Sequence, residues 1–401
     1  MIRKYPVSKN DINRFFRAFI LVCLLVICLV LRTEINPEAA ITTGFGFLFG
    51  YIFQRSRFCF ASAFRDPFMI RNTVLSRAVL VALLLNTYGF ALIHLLKGDA
   101  LPASGNIFPI GLNVVAGGFI FGFGMVITGS CISGCLMRLG EGHMLQWFTF
   151  LGILLGAILG AWHFGWWKYY LEYFSPKLFL PDLFGWFTAL LLQTLLIVIL
   201  YILTFYDQKN RVTADLRKIF SVRLNLPAFK EAVSDIFSIR QLSYLEGAVM
   251  LAITNTFLFF FWGKPWAITS GITHLCGWLC IKLGIAVVDW PYFQDNINSE
   301  NELIFNNHPL LFLVIAMIAG SFFSSLLADE FRVSIPKSLK YILLSLCGGA
   351  MLGYGANIAL GCNIGGFLSG TASLSLHGWV LGFFMLLGSF IGGKIFLKFI
   401  V

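Results

Sequence analysis

GGFIFGFGMVITGSCISG (117–134) and GGAMLGYGANIALGCNIG (348–365) align without a gap. Gly117, Gly118, Gly122, Gly124, Cys131 and Gly134 fall on Gly348, Gly349, Gly353, Gly355, Cys362 and Gly365, at a constant spacing of 231 residues. Glycine is a poor residue for a helix interior, so six matches at fixed offsets mark two copies of one structural unit. In each copy a long apolar run ends at a glycine (Gly129 or Gly361), and a second glycine (Gly134 or Gly365) follows the cysteine. The bracketing glycines read as breaks in a helix. Gly117-x4-Gly122 and Gly348-x4-Gly353 read as packing glycines that let backbones approach. A methyl at Gly353 therefore reads as a mild change, and a bulky side chain at Gly361 as a severe one.

The surrounding composition places these units in a membrane. Of 401 residues 58% are hydrophobic and 12% charged, against about a quarter charged in soluble domains. Ten runs read as spanning helices, near 14–32, 41–56, 75–96, 109–128, 144–166, 183–205, 244–263, 309–328, 339–359 and 378–400. Each approaches the roughly 20 residues that cross a bilayer. Four short segments lie between them, 57–69, 129–140, 265–288 and 361–376, the last three interrupted by glycine and the third long enough to span. The fold expected is an all-α polytopic membrane protein with an inverted repeat of spanning helices and short non-spanning half-helices. Its parts are an N-terminal helix (1–40), a first repeat half with a linking helix (41–205), a basic linker (206–243) and a second half (244–401). Ala18–Leu31 is followed by Arg32 and Thr33 rather than a small-residue cleavage site, so it reads as an uncleaved first helix.

The net charge of +10 is not a nucleic-acid signal, because it concentrates in loops. Basic residues at the N-terminus, in 55–77 and in 207–243 place those segments in the cytoplasm. Segment 287–308 carries Asp289, Asp295, Glu300 and Glu302 with no Lys or Arg, and reads as external. The two copies then run in opposite directions, an arrangement common in transporters. Loop 207–243 reads equally as an amphipathic surface helix or a plain linker.

A half-helix that starts inside the membrane presents free backbone N–H groups and a positive dipole end, which favour an anion. Cys131, Cys362 and Cys59 (in RSRFCFASAFRD) all stand near such starts, with Asn363 as a further amide donor. Three thiols there point to a soft, sulfur-compatible anion path lined by Gly129, Gly134, Gly361 and Gly365. Cys131-x3-Cys135 and Cys276-x3-Cys280 have the i, i+4 spacing that puts each pair on one face, as a soft metal pair would need. No acidic residue stands beside any cysteine, and no metal or cofactor is expected. Packing is favoured for Cys135, Cys276 and Cys280. Arg138 and Glu141, about one turn apart, read as an ion pair. A membrane thiol oxidoreductase is the alternative from another class, though C-x-x-C is absent.

RSRFCFASAFRD, the two Gly-Cys stretches and SLHGW (375–379) together resemble the YeeE/YedE family of sulfur-transport membrane proteins, over about residues 40–400. The resemblance implies inner-membrane uptake of thiosulfate or, for some members, a role with selenium species. It implies an hourglass-shaped, pseudo-twofold protein and no enzymatic activity. Three cysteines, matching Cys59, Cys131 and Cys362, would pass the anion along by S–H···S contacts. Membrane lipid and a small cytoplasmic sulfur-carrier protein are the partners implied. No nucleotide-binding loop is present, and passage with trapping downstream fits better than ion symport.

Overall fold

The computed structural model describes residues 37–97, 106–206, 241–296, 308–336 and 338–399. The expected helix near 14–32 and the amphipathic reading of 207–243 lie outside the described residues, apart from 241–243. Among the described residues helices are the only regular elements, joined by short non-helical connections. They begin with α1 (Pro37–Ser56), α2 (Phe60–Met69), α3 (Val74–Lys97), α4 (Leu112–Thr128), α5 (Ile132–Gly140) and α6 (Leu145–Phe174), then α7 (Leu180–Phe184) and α8 (Trp186–Tyr206). After the linker come α9 (Tyr244–Trp262), α10 (Ile268–Lys282), α11 (Pro291–Asn296), α12 (Pro309–Leu327) and α13 (Leu339–Ile358). α14 is wound as a π-helix over Asn363–Ser369 and finishes with the single turn Gly370–Ala372, and α15 is Leu376–Phe399.

Among the described residues eight helices are long and apolar enough to cross a membrane. The protein is an all-α, multi-pass membrane protein. α1, with 20 residues and mostly buried, is not among these eight, so the span expected near 41–56 does not meet the apolarity of a crossing helix. The four segments between the expected spans hold short helices, α2, α5, α10 and α14. Segment 265–288 contains only the 15-residue α10, about 22 Å long at 1.5 Å per residue, which is too short to span.

The repeat is wider than the glycine motif. In order, α1, α2, α3, α4, α5 and α6 correspond to α9, α10, α12, α13, α14 and α15, and α8 stands outside the scheme. The packing is reciprocal. A methyl at Gly117 would lie 2.6 Å from Gly355 O, and one at Gly124 would lie 2.9 Å from Gly348 O. In repeat terms these are the same contact made twice, so α4 and α13 cross antiparallel about a pseudo-twofold axis. Gly122 presses on the Met385 carbonyl of α15, and Gly353 on the Ile153 carbonyl of α6, the mate of α15. Likewise α1 packs on α12 through Gly46, Gly50 and Gly320, and their mates α9 and α3 meet through Gly89–Thr256 and Asn255–Asn86. Between apolar helices in lipid, such close backbone contact and interhelical hydrogen bonds hold the bundle together.

Gly353 corrects the expectation of a mild site. An added methyl would strike the backbone of α6 at Ile153 O and Ala157 N, and neither atom belongs to a side chain that can swing away.

Near the centre Trp266 lies flat on Phe49, with ring centroids 3.6 Å apart and planes at 7°, and Phe53 stands edge-on to it at 5.7 Å. Aromatic pairs of this kind add about 0.5–1.5 kcal/mol beyond area burial. They fix the segment that leads into α10.

Candidate anion passage

Each half-helix begins after a short non-helical reversal. In the first repeat α4 stops at Gly129, whose φ of +65° is left-handed and whose N–H bonds to Val126 O. Cys131 is extended, and α5 follows. In the second, Leu360 at φ 58° and Gly361 at φ 158° make the reversal before extended Cys362. A methyl at Gly361 would lie 2.6 Å from both Gly366 N and Cα, so both backbone conformation and space call for glycine there. Gly129, by contrast, has open space around its missing side chain. The remaining two half-helices start alike. Cys59 precedes α2 at φ −140°, ψ 116°, and Ala267 precedes α10 at φ −140°, ψ 114°.

Four half-helix starts thus form two groups. Cys59 and Cys131 meet at Gly134, where a methyl would lie 3.1 Å from Cys59 Sγ and 3.6 Å from Cys131 Sγ. Cys362 lies in the mate group. There the mate of Gly134, Gly365, has Ala267 at 3.4 Å from its would-be methyl. One group therefore carries two thiols and the other one, with alanine at the fourth position. All three cysteines are buried.

The thiols are not tied to strong partners. Cys131 Sγ accepts from Gly134 N at 3.4 Å and lies 3.1 Å from Ser133 Oγ. Cys59 and Cys362 make no side-chain cap bond to their helices. Asn363 donates its amide to Met125 Sδ at 3.1 Å. Asn106 donates to Gly365 O at 2.7 Å, crossing the Cys362 group from the α3–α4 connection. Beside Gly129 lies a cavity of about 400 Å³ whose lining includes Arg65, Asp66, Tyr341, Ser345 and Phe396. It sits at the end of the bundle to which linker 207–243 attaches.

Cys135, Cys276 and Cys280 are buried. Cys135 donates to Gln146 O and Cys276 to Leu154 O, each at 3.4 Å. Among the described residues no group of three or more His, Cys, Asp or Glu is placed to hold a metal. Arg138 does not pair with Glu141. Arg57, held at φ 51°, reaches Glu141 and also Glu330 at 2.8 Å, and His143 Nε2 adds a contact to Glu141 at 3.5 Å. Burial opposes the charge of Glu330. Hydrogen bonds from Gln241 and Gln54, together with the Arg57 charge, outweigh it and hold the carboxyl below its ordinary range.

A sequence model described as sulphur transport matches residues 55–391. The chain belongs to the sulphur transport family. It is 28% identical over 346 residues to the thiosulfate transporter TsuA of Escherichia coli, covering 86% of this chain and 90% of that one. To TsuA of Spirochaeta thermophila it is 29% identical over 371 residues, with 86% and 94% coverage. To the probable transporter YedE of Escherichia coli it is 31% identical over 150 residues, 37% of each chain. The chain is accordingly a membrane transporter of the sulphur transport family and not an enzyme.

The three thiols stand just before the half-helices, and Gly129 and Gly361 stand at the reversals, but Gly134 and Gly365, read from the sequence as helix breaks, lie inside α5 and α14 because the chain has already turned helical there. Sequence reasoning missed Ala267, Asn106 and Met125. The i, i+208 relation between Cys59 and Ala267 was hidden because the cysteine is replaced, and a methionine inside an apolar helix reads as core.

Proposed function

We infer that this protein admits thiosulfate across the inner membrane, handing the anion from Cys362 on the external side to Cys131 and Cys59 on the cytoplasmic side. The observation that carries the reading is the convergence of two thiols on Gly134 at two half-helix starts, mirrored by Cys362 and Ala267 on Gly365. The full-length similarity to proteins named thiosulfate transporters points the same way. The first pseudo-twofold half and its linking helix α8 occupy 41–205 and the second half 244–401, joined by the cytoplasmic linker 206–243.

The mechanism follows from the donor set. Backbone N–H groups at the half-helix starts offset part of the charge of an arriving anion, and the Arg138 charge, felt at the Cys59 and Cys135 thiols, adds to this on the Cys59–Cys131 side. A thiol donates weakly and is polarizable, so it suits the soft terminal sulfur of thiosulfate. Gly129, Gly134, Gly361 and Gly365 keep side-chain volume away from this line, and Asn363 offers an amide N–H to an anion oxygen. The cavity beside Gly129 receives the ion near Arg65. A cytoplasmic sulfur-carrier protein consumes it there, which keeps the flux inward, while the outer helix faces meet lipid.

The test is uptake of radiolabelled thiosulfate into proteoliposomes, with sulfate, sulfite and selenite as competitors. Saturable uptake that excess thiosulfate suppresses and excess sulfate leaves largely intact is the expected result. Sulfate carried as readily as thiosulfate would remove the reason for the thiols.

A further inference from the structure

Asn363 differs from the other buried asparagines in what its amide holds. Asn86 donates to Ala82 O, Asn113 to Ile358 O, Asn255 to Asn86 Oδ1 and Asn357 to Ala157 O. Each of these acceptors is an amide oxygen. Asn363, 2% exposed, instead gives its amide to the sulfur of Met125, which is fully buried. A thioether is among the weakest acceptors that a protein offers. The repeat does not impose the contact. At the 231-residue spacing the mate of Asn363 is Ile132 and the mate of Met125 is Ala356, a pair that forms no hydrogen bond through its side chains. The contact is thus specific to the half that carries Cys362. It joins the first residue of α14 to the α4 helix that leads to Cys131.

We propose that Met125 sets the affinity of the passage by parking the Asn363 amide N–H in the empty protein and yielding it to an oxygen of the anion that arrives at Cys362. The proposal rests on the transport reading above and adds a residue and a ligand requirement to it. Were the resting acceptor a carbonyl, binding would break one good hydrogen bond to make another. With a thioether, binding breaks a weak bond and makes a charge-assisted one, which is roughly twice as strong as a neutral bond. The anion class served is one with an oxygen acceptor beside its soft sulfur, as in thiosulfate. An anion with sulfur alone gains nothing from Asn363.

Two substitutions at Met125 act in opposite directions, which separates the proposal from general damage. Met125→Leu conserves volume and strands the N–H in the empty state only, so thiosulfate binding tightens. Met125→Gln supplies an amide oxygen, ties the N–H down and weakens binding. Calorimetric titration of thiosulfate into the purified full-length protein should give a Kd lowered roughly threefold or more for Leu and raised by a similar factor for Gln. In an Asn363→Ala background both substitutions should leave Kd within about twofold. If Leu and Gln shift Kd in the same direction, or Leu leaves it unchanged, while the wild type binds thiosulfate and melting temperatures match, the parking proposal is overturned and the transport reading stands. If the wild type binds no thiosulfate, the transport reading fails and takes the proposal with it.

Discussion

Gly134→Ala isolates the thiol pair from the stability of the fold. Gly134 lies in the first turn of α5, where alanine favours the helix over glycine by about 0.5–1 kcal/mol. The added methyl lies 3.1 Å from Cys59 Sγ and 3.6 Å from Cys131 Sγ. Ordinary non-bonded separations are about 3.5–4.0 Å, so the Cys59 sulfur must give way by roughly half an ångström while the methyl fills the space between the thiols. The mate substitution, Gly365→Ala, meets Ala267 at 3.4 Å and Asn106 Nδ2 at 3.7 Å, which are ordinary contacts. The two variants therefore make a matched pair, with the same change, the same helix position and opposite consequences. Thermal melting in detergent should place both within a few degrees of wild type, since about 1 kcal/mol moves a large domain by only about 2–4 °C. Proteoliposome uptake should fall about tenfold or more for Gly134→Ala, equivalent to about 1.4 kcal/mol on the barrier, and stay within about threefold for Gly365→Ala. Wild-type uptake by a folded Gly134→Ala protein would refute the placement of the passage between Cys59 and Cys131.

Gly353→Ala should lower the melting temperature, because its methyl meets the α6 backbone at Ile153 and Ala157, whereas Gly129→Ala, with open space and only a left-handed φ to strain, should cost about 1 kcal/mol; a Gly353→Ala protein as stable as wild type would contradict the reciprocal packing of α13 on α6. Glu330→Gln should destabilise the protein at neutral pH. A carboxyl held below its ordinary value contributes stability that is present above the unfolded pKa, about 4.3, and lost as pH falls through the lower folded value, so the gap between variant and wild type should close in acid; a constant gap across that range would exclude the Arg57–Glu330 contact as its source. Cysteines introduced at exposed Ile335 and Leu183 should react with an impermeant reagent from the cytoplasmic and external sides respectively, and labelling of Ile335→Cys in intact cells would invert the assigned topology.

The legible and hidden parts of this molecule divide along physical lines. The Gly-Cys copies were readable because close helix crossing tolerates few residues other than glycine and the sequence repeats those glycines at one spacing, although the left-handed Gly129 of one copy is matched by left-handed Leu360 in the other. Three of the four half-helices were readable because their segments are too short to span, whereas 265–288 is long enough to cross and only the structure shows that its helix is not. The correspondence of α1–α3 with α9–α12 was not readable. Packing there accepts many apolar residues, and insertions shift the offset from 231 to 208 between Cys131–Cys362 and Cys59–Ala267. The Arg138–Glu141 pairing was wrong for a related reason. Helical spacing sees only neighbours on one helix, and the partner of Glu141 is Arg57, from the reversal that precedes α2. Met125 stayed hidden because nothing in an apolar helix separates a methionine that packs from one that accepts a hydrogen bond.

The most direct test of the thiol passage compares Cys131→Ala with Cys135→Ala, one helical turn apart on the same half-helix, at equal membrane expression. Uptake of labelled thiosulfate into proteoliposomes should be largely abolished in the first and largely kept in the second, and Cys131→Ser should fail nearly as badly as alanine because it restores a donor without the soft sulfur. Uptake by Cys131→Ala at the level of Cys135→Ala would contradict the account.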